Sequence, residues 1–206
     1  KDLTRSISWI IEQPYQFILS LFAKGFYRGQ GQEALLILPA LSWVAVITII
    51  TSLAIYTKDK ALVALVALSF FYLAVFGQWQ SAMITLSSII IAVPIGVLLG
   101  LSLGIASYKS QKIEQFIKPI LSLMQTIPVF AYLVPILVMF GFGPVSALIA
   151  TVIYAMPPMV HTTILALKSV DPQIKDFGLI AGCTNRQLMW RVLIPSAKST
   201  IMVGVR

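Results

Sequence analysis

Two residue patterns in this chain are placed for solute chemistry that makes and breaks no bond. Gln125, Pro128, Tyr132, Pro135 and Met139 follow i, i+3, i+7, i+10 and i+14. That spacing sets an amide, a phenol, a thioether and two helix-interrupting rings along one side of a helix. The amide and phenol can hydrogen-bond a solute, and each proline frees a backbone carbonyl that neighbouring helices or water must satisfy. The stripe reads either as the lining of a pathway, with Gln125 and Tyr132 as its polar members, or as a packed seam. Further on, Tyr154, Met156, Pro157, Pro158 and His161 share one apolar stretch. The paired prolines predict a bend or unwinding there, and with it a hinge. His161 is either a titrating or solute-contacting group or hydrogen-bonded structure, and no intramembrane carboxylate is present to serve as its relay partner. Catalytic residues and metal ligands are not expected. His161 and Cys183 are the single histidine and single cysteine, which excludes a His/Cys ligand set and an internal disulfide and leaves Cys183 as an exposed or packed structural thiol.

The elements that position these residues follow from composition. The 206 residues are 58% hydrophobic and 11% charged, with a mean hydropathy of +0.92, outside the range of a soluble domain. Five segments are apolar over roughly the 20 residues that cross a bilayer as helix: Ala34 to Tyr56, Ala61 to Phe76, Met83 to Tyr108, Pro119 to Phe140 and Val145 to Leu167. None contains Lys, Arg, Asp or Glu. Continuous apolar runs exclude the alternating pattern of a membrane β-barrel, so the fold class is all-α, a polytopic transmembrane helical bundle. Gly96, Gly100 and Gly104, four apart in the third segment, predict close helix packing. Residues 1–33 read as an interfacial tail, carrying Trp9, Ile10, Ile11, Tyr15, Phe17, Ile18, Leu21 and Phe22 on a helix broken near Pro14. They lack the pattern of a cleavable signal peptide.

The net charge of +8 is spread between spans and not gathered on one soluble face, which argues against a nucleic-acid partner. Lys58 and Lys60 follow the first span, Lys109, Lys112 and Lys118 the third, and Lys168, Lys175, Arg186, Arg191 and Lys198 the fifth. The other two loops, Gly77 to Gln80 and Gly141 to Pro144, have none. By the positive-inside rule the loops after spans one, three and five are cytoplasmic and the N-terminus is outside. Lys1, Arg5, Lys24 and Arg28 in the tail run against this bias, accompanied by Asp2, Glu12 and Glu33.

Asp171 to Pro195 is the long polar exception, and its local chemistry predicts two short helices. Asp171 before Pro172 is an N-cap followed by a proline suited to the first helical position. Ile174, Phe177 and Ala181 recur at helical spacing, Gly182 suits a helix stop, and Thr184 with Gln187 has the pattern of a capping box. Leu188, Met189, Val192 and Leu193 form the apolar face of the second helix beside the polar Arg186 and Arg191. Pro195 then marks a break or a fresh helix start.

Two stretches, Met124 to Gly143 and Asp176 to Val205, carry a family resemblance that covers roughly Met83 to Val205. The chain resembles the membrane-spanning permease of bacterial ATP-binding-cassette importers, particularly the glycine betaine/proline type. In the family's cytoplasmic coupling loop, Asp176, Gly182 and Pro195 match the acidic residue, central glycine and final proline, while Phe177 and Gly178 stand where the family has two alanines. The resemblance implies a transmembrane domain over residues 34–206, with a coupling loop at 168–198 in which Asp176, Gly178, Gly182, Thr184, Arg186 and Pro195 engage a separate ATPase subunit. ATP and Mg would belong to that subunit, since these 206 residues lack the G-x-x-x-x-G-K-[ST] phosphate loop. It also implies an extracytoplasmic solute-binding protein, a second permease copy, and a cargo such as glycine betaine, choline, proline betaine or carnitine in the bacterial cytoplasmic membrane. A further helix is expected from about Arg206. An ion-gradient-driven secondary transporter and a non-transporting membrane scaffold are the rival readings.

Overall fold

The computed structural model describes residues 2–28 and 35–205. Lys1, Glu33, Ala34 and Arg206, which enter the charge and span readings above, lie outside the described residues, as do the side chains of Asp2, Arg5 and Arg28. The chain forms two compact units, Lys1–Ile91 and Ala92–Arg206.

The first unit opens with α1 (Asp2–Leu19), which continues into a wider π turn over Ser20–Lys24 and stops at Gly25, whose φ of 84° suits glycine. The break expected at Pro14 does not occur. Tyr15 and Leu19, beside and beyond the proline, are buried, and their packing outweighs the one backbone hydrogen bond that the ring removes. Strands β1 (Phe26–Arg28) and β2 (Leu35–Leu38) pair antiparallel, with a register shift after Phe26. The first expected span is therefore shorter than its apolar run. Leu35–Leu38 is strand, Pro39 follows, and α2 (Trp43–Ile55) begins only where Ser42 caps the Ala45 amide at 3.3 Å. Asp59 starts α3 (Lys60–Val75) by accepting from the amides of Ala61 and Leu62. At 13 and 16 residues, α2 and α3 are short of a full crossing.

The chain passes into the second unit through α4 (Trp79–Lys109), 31 residues or about 46 Å of helix. After it come α5 (Gln111–Thr126), α6 (Val129–Phe140), α7 (Pro144–Lys168), α8 (Pro172–Ile180), α9 (Asn185–Gln187), a π segment at Leu188–Leu193, and α10 (Ile194–Val203). Among the described residues α4 and α7 are long and apolar enough to cross a membrane singly, and α5 with α6 makes a third candidate bent by 99°. The fourth expected span is thus a broken helix. Pro128 supplies no N–H to the Met124 carbonyl, and Ile127 before it is extended at φ −76°, ψ 130°.

The fifth span departs from expectation in the other direction, because α7 runs unbroken through Pro157 and Pro158. Met159, Val160, Thr163, Ile164, Ala166 and Leu167 are all buried along it, so packing holds the helix where two backbone bonds are lost. One cluster joins Met159, Ala166 and Leu167 of α7 to Leu188, Met189, Leu193, Ala197 and Ile201. A second joins Leu121 of α5 to Val160 and Ile164.

Glycine sets the approach of α4 to α7. A Cβ on Gly96 would lie 3.7 Å from Ala155 Cβ, one on Gly100 2.6 Å from Met159 Cβ, and one on Gly104 2.5 Å from Thr163 Cβ. Both series ascend in steps of four, so the two helices run parallel. Gly204, just beyond α10, meets Thr162 and Met159 of α7, so α10 turns back alongside α7.

Candidate functional site

The segment after α7 is built by caps at every turn. Asp171 accepts the Gln173 amide at 2.8 Å, with Pro172 at the first helical position. Helix α8 ends in a paired closure, the Cys183 amide donating to the Gly178 carbonyl and the Gly182 amide to Leu179, with Gly182 left-handed at φ 76°. Thr184 and Gln187 form a full capping box: the Gln187 amide donates to Thr184 Oγ1, and the Thr184 amide to Gln187 Oε1 at 2.9 Å.

The packed face of α8 is not the Ile174, Phe177, Ala181 stripe. Phe177 is 73% and Ile180 86% exposed, whereas Gly178 is buried against the π segment, where a Cβ would come within 2.5 Å of Leu188 Cδ1. Glycine at 178 lets the backbone of α8 lie directly on the second helix, which leaves Phe177 and Ile180, and to a lesser degree Ile174 and Leu179, exposed. Cys183 is half-buried against the same cluster.

Pro195 stands in the first turn of α10, a fresh helix start, while the helical path ahead of it is not broken. The helix widens instead, the Ile194 amide reaching back five residues to the Met189 carbonyl. A π turn before a proline accommodates the missing N–H without ending the helix, and Leu188, Met189 and Leu193 stay buried through it. Asp176, Arg186 and Pro195 are exposed. Arg186 joins Tyr108, Lys109, Lys175 and Trp190 around a groove of about 820 Å3, a cationic and aromatic wall beside the end of α4.

The stripe from Gln125 to Met139 is divided by the bend. Gln125 ends up on α5 and Tyr132, Pro135 and Met139 on α6, so no single helix face carries all five residues. Gln125, Pro128, Pro135 and Met139 are exposed, and Tyr132 is half-buried. The Tyr132 hydroxyl donates to the Met124 carbonyl at 2.7 Å, the acceptor that Pro128, four residues on, cannot serve. Along α7, Pro157 is buried and Pro158 exposed. His161 Nε2 is shielded from solvent and has no hydrogen-bond partner among the described residues.

Glu114 escaped the sequence reading, although a lone carboxylate among Lys109, Lys112 and Lys118 is a visible signal. It lies in the first turn of α5, in the polar stretch ahead of the apolar run from Pro119, and its side chain is only 9% exposed. Lys118 lies 2.7 Å from it along the helix, and Lys168, in the last turn of α7, donates to both its oxygens at 2.6 and 2.9 Å. The hydrogen bonds from Lys118 and then Lys168 hold the Glu114 carboxyl below the usual glutamate range.

Curated relatives share this sequence over most of its length. A trimethylamine N-oxide transport system permease of Pelagibacter ubique is 42% identical over 168 residues, 82% of this chain and 23% of the relative. The glycine betaine/proline betaine transport system permease of Escherichia coli is 31% identical over 213 residues, 98% of this chain and 57% of its own length. A glycine betaine/carnitine transport permease of Listeria monocytogenes is 39% identical over 127 residues, 62% of this chain and 45% of the relative. The chain therefore spans from about a quarter to little more than half of these proteins. Residues 92–206, the whole second unit with its parallel α4 and α7 and the capped segment between α7 and α10, match the model of the binding-protein-dependent transport system inner membrane components, and the chain belongs to that family.

Proposed function

We propose that this chain is the membrane-spanning part of an ATP-driven importer, with residues 168–198 seated in a separate ATPase subunit. The observation that carries the reading is the form of α8 and its neighbour. A doubly capped helix pair rests through Gly178 on a core continuous with α7 and turns Phe177 and Ile180 outward. Exposed apolar side chains on a capped projection that also carries Lys175, Asp176 and Arg186 suit a partner cleft, and the shared core carries a push from that partner into α7. Asp176, Gly182, Thr184 and Arg186 complete the docking element, and ATP and Mg act on the partner.

Charge and packing together support one orientation. The parallel crossing of α4 and α7 supports their lysine-bearing ends, Lys109 and Lys168, lying on one side, which the positive-inside rule makes cytoplasmic. The N-terminus is then outside. Gln125, Pro128, Pro135 and Met139 face the pathway completed by a second permease copy, Tyr132 holds the bend between α5 and α6, and the Pro157, Pro158 and His161 stretch of α7 borders it.

The relatives' names supply the cargo class. Trimethylamine N-oxide, glycine betaine, proline betaine and carnitine all carry a multiply methylated nitrogen. An extracytoplasmic binding protein with an aromatic cage recognises such groups by cation–π attraction. The test places the full-length permease, its ATPase and the binding protein in proteoliposomes and measures uptake of these labelled solutes and choline. Uptake is expected only with ATP and all three components. Uptake that persists without the ATPase overturns the reading in favour of a gradient-driven carrier, and its absence with every component present favours a scaffold.

A further inference from the structure

We infer that the Glu114–Lys168 pair is a positioning link that ties the root of the docking segment to the broken helix α5–α6. The seam between α5 and α7 is apolar along its length, with Ile117 and Leu121 of α5 set against Val160 and Ile164 of α7. Glu114 and Lys168 continue both series by one turn, so the ion pair closes the cytoplasmic end of the seam in register. Each charge also sits at the favourable pole of its helix, the carboxylate in the first turn of α5 and the ammonium in the last turn of α7. Three residues beyond Lys168, Asp171 caps α8. At its other end α5 reaches the break at Ile127 and Pro128, where Tyr132 holds the Met124 carbonyl. A displacement of α8 therefore reaches α7 through the shared core, and the carboxylate obliges the start of α5 to follow.

This inference rests on the importer reading, and its test separates the two. Lys118, one turn along α5, pairs with the same carboxylate but joins no second helix, so Lys118→Gln is the control. Lys168→Gln breaks the link while leaving Lys118 to neutralise Glu114, and Lys168→Arg keeps it. In reconstituted full-length importer, solute moved per ATP hydrolysed should fall about three- to tenfold in Glu114→Gln and Lys168→Gln, the range expected for loss of one inter-element coupling. The double variant should be no worse than either single, and Lys168→Arg and Lys118→Gln should match wild type. A fall in ATP turnover with an unchanged ratio, or an equal loss in Lys118→Gln, overturns the link.

A second measurement needs no transport. Spin labels at Gln111→Cys and Leu165→Cys, in a permease whose native cysteines, Cys183 among them, are replaced by Ser, report the separation of the two helix ends. Lys168→Gln should broaden that distribution and Lys168→Arg restore it. An unchanged distribution overturns the inference whatever the uptake assay shows, whereas failed wild-type uptake with a broadened distribution counts against the importer reading alone.

Discussion

Gly104→Ala should destabilise the permease by about 1–2 kcal/mol, whereas Gly96→Ala, two turns earlier on the same helix, should not. A Cβ at position 104 would lie 2.5 Å from Thr163 Cβ and 2.7 Å from its Cγ2, about 0.7–1.5 Å inside ordinary contact. Thr163 is fully buried and its hydroxyl is bonded to the Met159 carbonyl at 2.7 Å, so neither a rotamer change nor a small slide relieves the overlap. Overpacking of this kind costs about 1–3 kcal/mol, and the better helix propensity of alanine returns about 0.5–1 kcal/mol. At Gly96 the corresponding distance is 3.7 Å, so only the propensity gain remains.

Thermal unfolding of the purified permease in detergent reads the difference, roughly 3–12 °C between the two variants on the scale of soluble chains of 150–250 residues. The identity of the clashing atom sharpens the test. Thr163→Ala keeps the offending Cβ and should not rescue Gly104→Ala, while Thr163→Gly removes it and should give a favourable coupling in a double-mutant cycle. Equal stability of the two alanine variants, or rescue by Thr163→Ala, would refute the close parallel crossing of α4 and α7.

Three further outcomes are expected. Tyr132→Phe should cost about 1–2 kcal/mol by leaving the Met124 carbonyl without its donor; Pro128→Ala, which returns a backbone N–H at that position, should abolish most of the effect, and unfolding in detergent measures both. Gly182→Pro, which cannot adopt φ 76°, and Asp176→Lys should weaken pull-down of the ATPase subunit while solute binding to the soluble receptor stays at wild-type affinity. Because Glu114 titrates below its ordinary value of 4.5 in the folded protein, its stabilising contribution is complete above that value and is lost as pH falls through the lower folded one; melting curves at pH 7 and in acid should converge between wild type and Glu114→Gln only at the acid end.

Local chemistry was the most legible part of the site. The Asp171 cap, the left-handed Gly182 and the Thr184–Gln187 box each depend on residues within a few positions of one another, and each stands where its spacing placed it. What the spacing did not disclose depends on contacts between elements. A 3.6-residue pattern over Leu188 to Leu193 is compatible with an ordinary helix and does not reveal the π register before Pro195. Exposure of Phe177 follows from Gly178 lying flat on Leu188, a contact ten residues away in sequence. The Glu114–Lys168 pair spans 54 positions, and only the antiparallel seam of α5 and α7 brings it together.

Proline shows where the local rule stops. The missing N–H predicts a break at Pro14 and a bend or unwinding at Pro157 and Pro158, yet both helices continue, and the break falls at Pro128. The chemistry of the missing N–H is the same at all four; the surroundings differ. Tyr15 and Leu19 are buried around Pro14, and Pro157 lies buried among Met159, Val160 and Thr163, so breaking either helix would expose packed side chains at a cost above the roughly 3 kcal/mol of an interior proline. Gln125, Thr126, Ile127 and Pro128 are exposed on this chain, and nothing opposes the extended conformation that proline imposes on its predecessor. The Tyr132 hydroxyl then satisfies one of the carbonyls freed at the break, that of Met124. The same logic separates the two proline sites: α7 continues where Pro157 is packed, and the bend falls at Ile127 and Pro128, where the side chains are exposed.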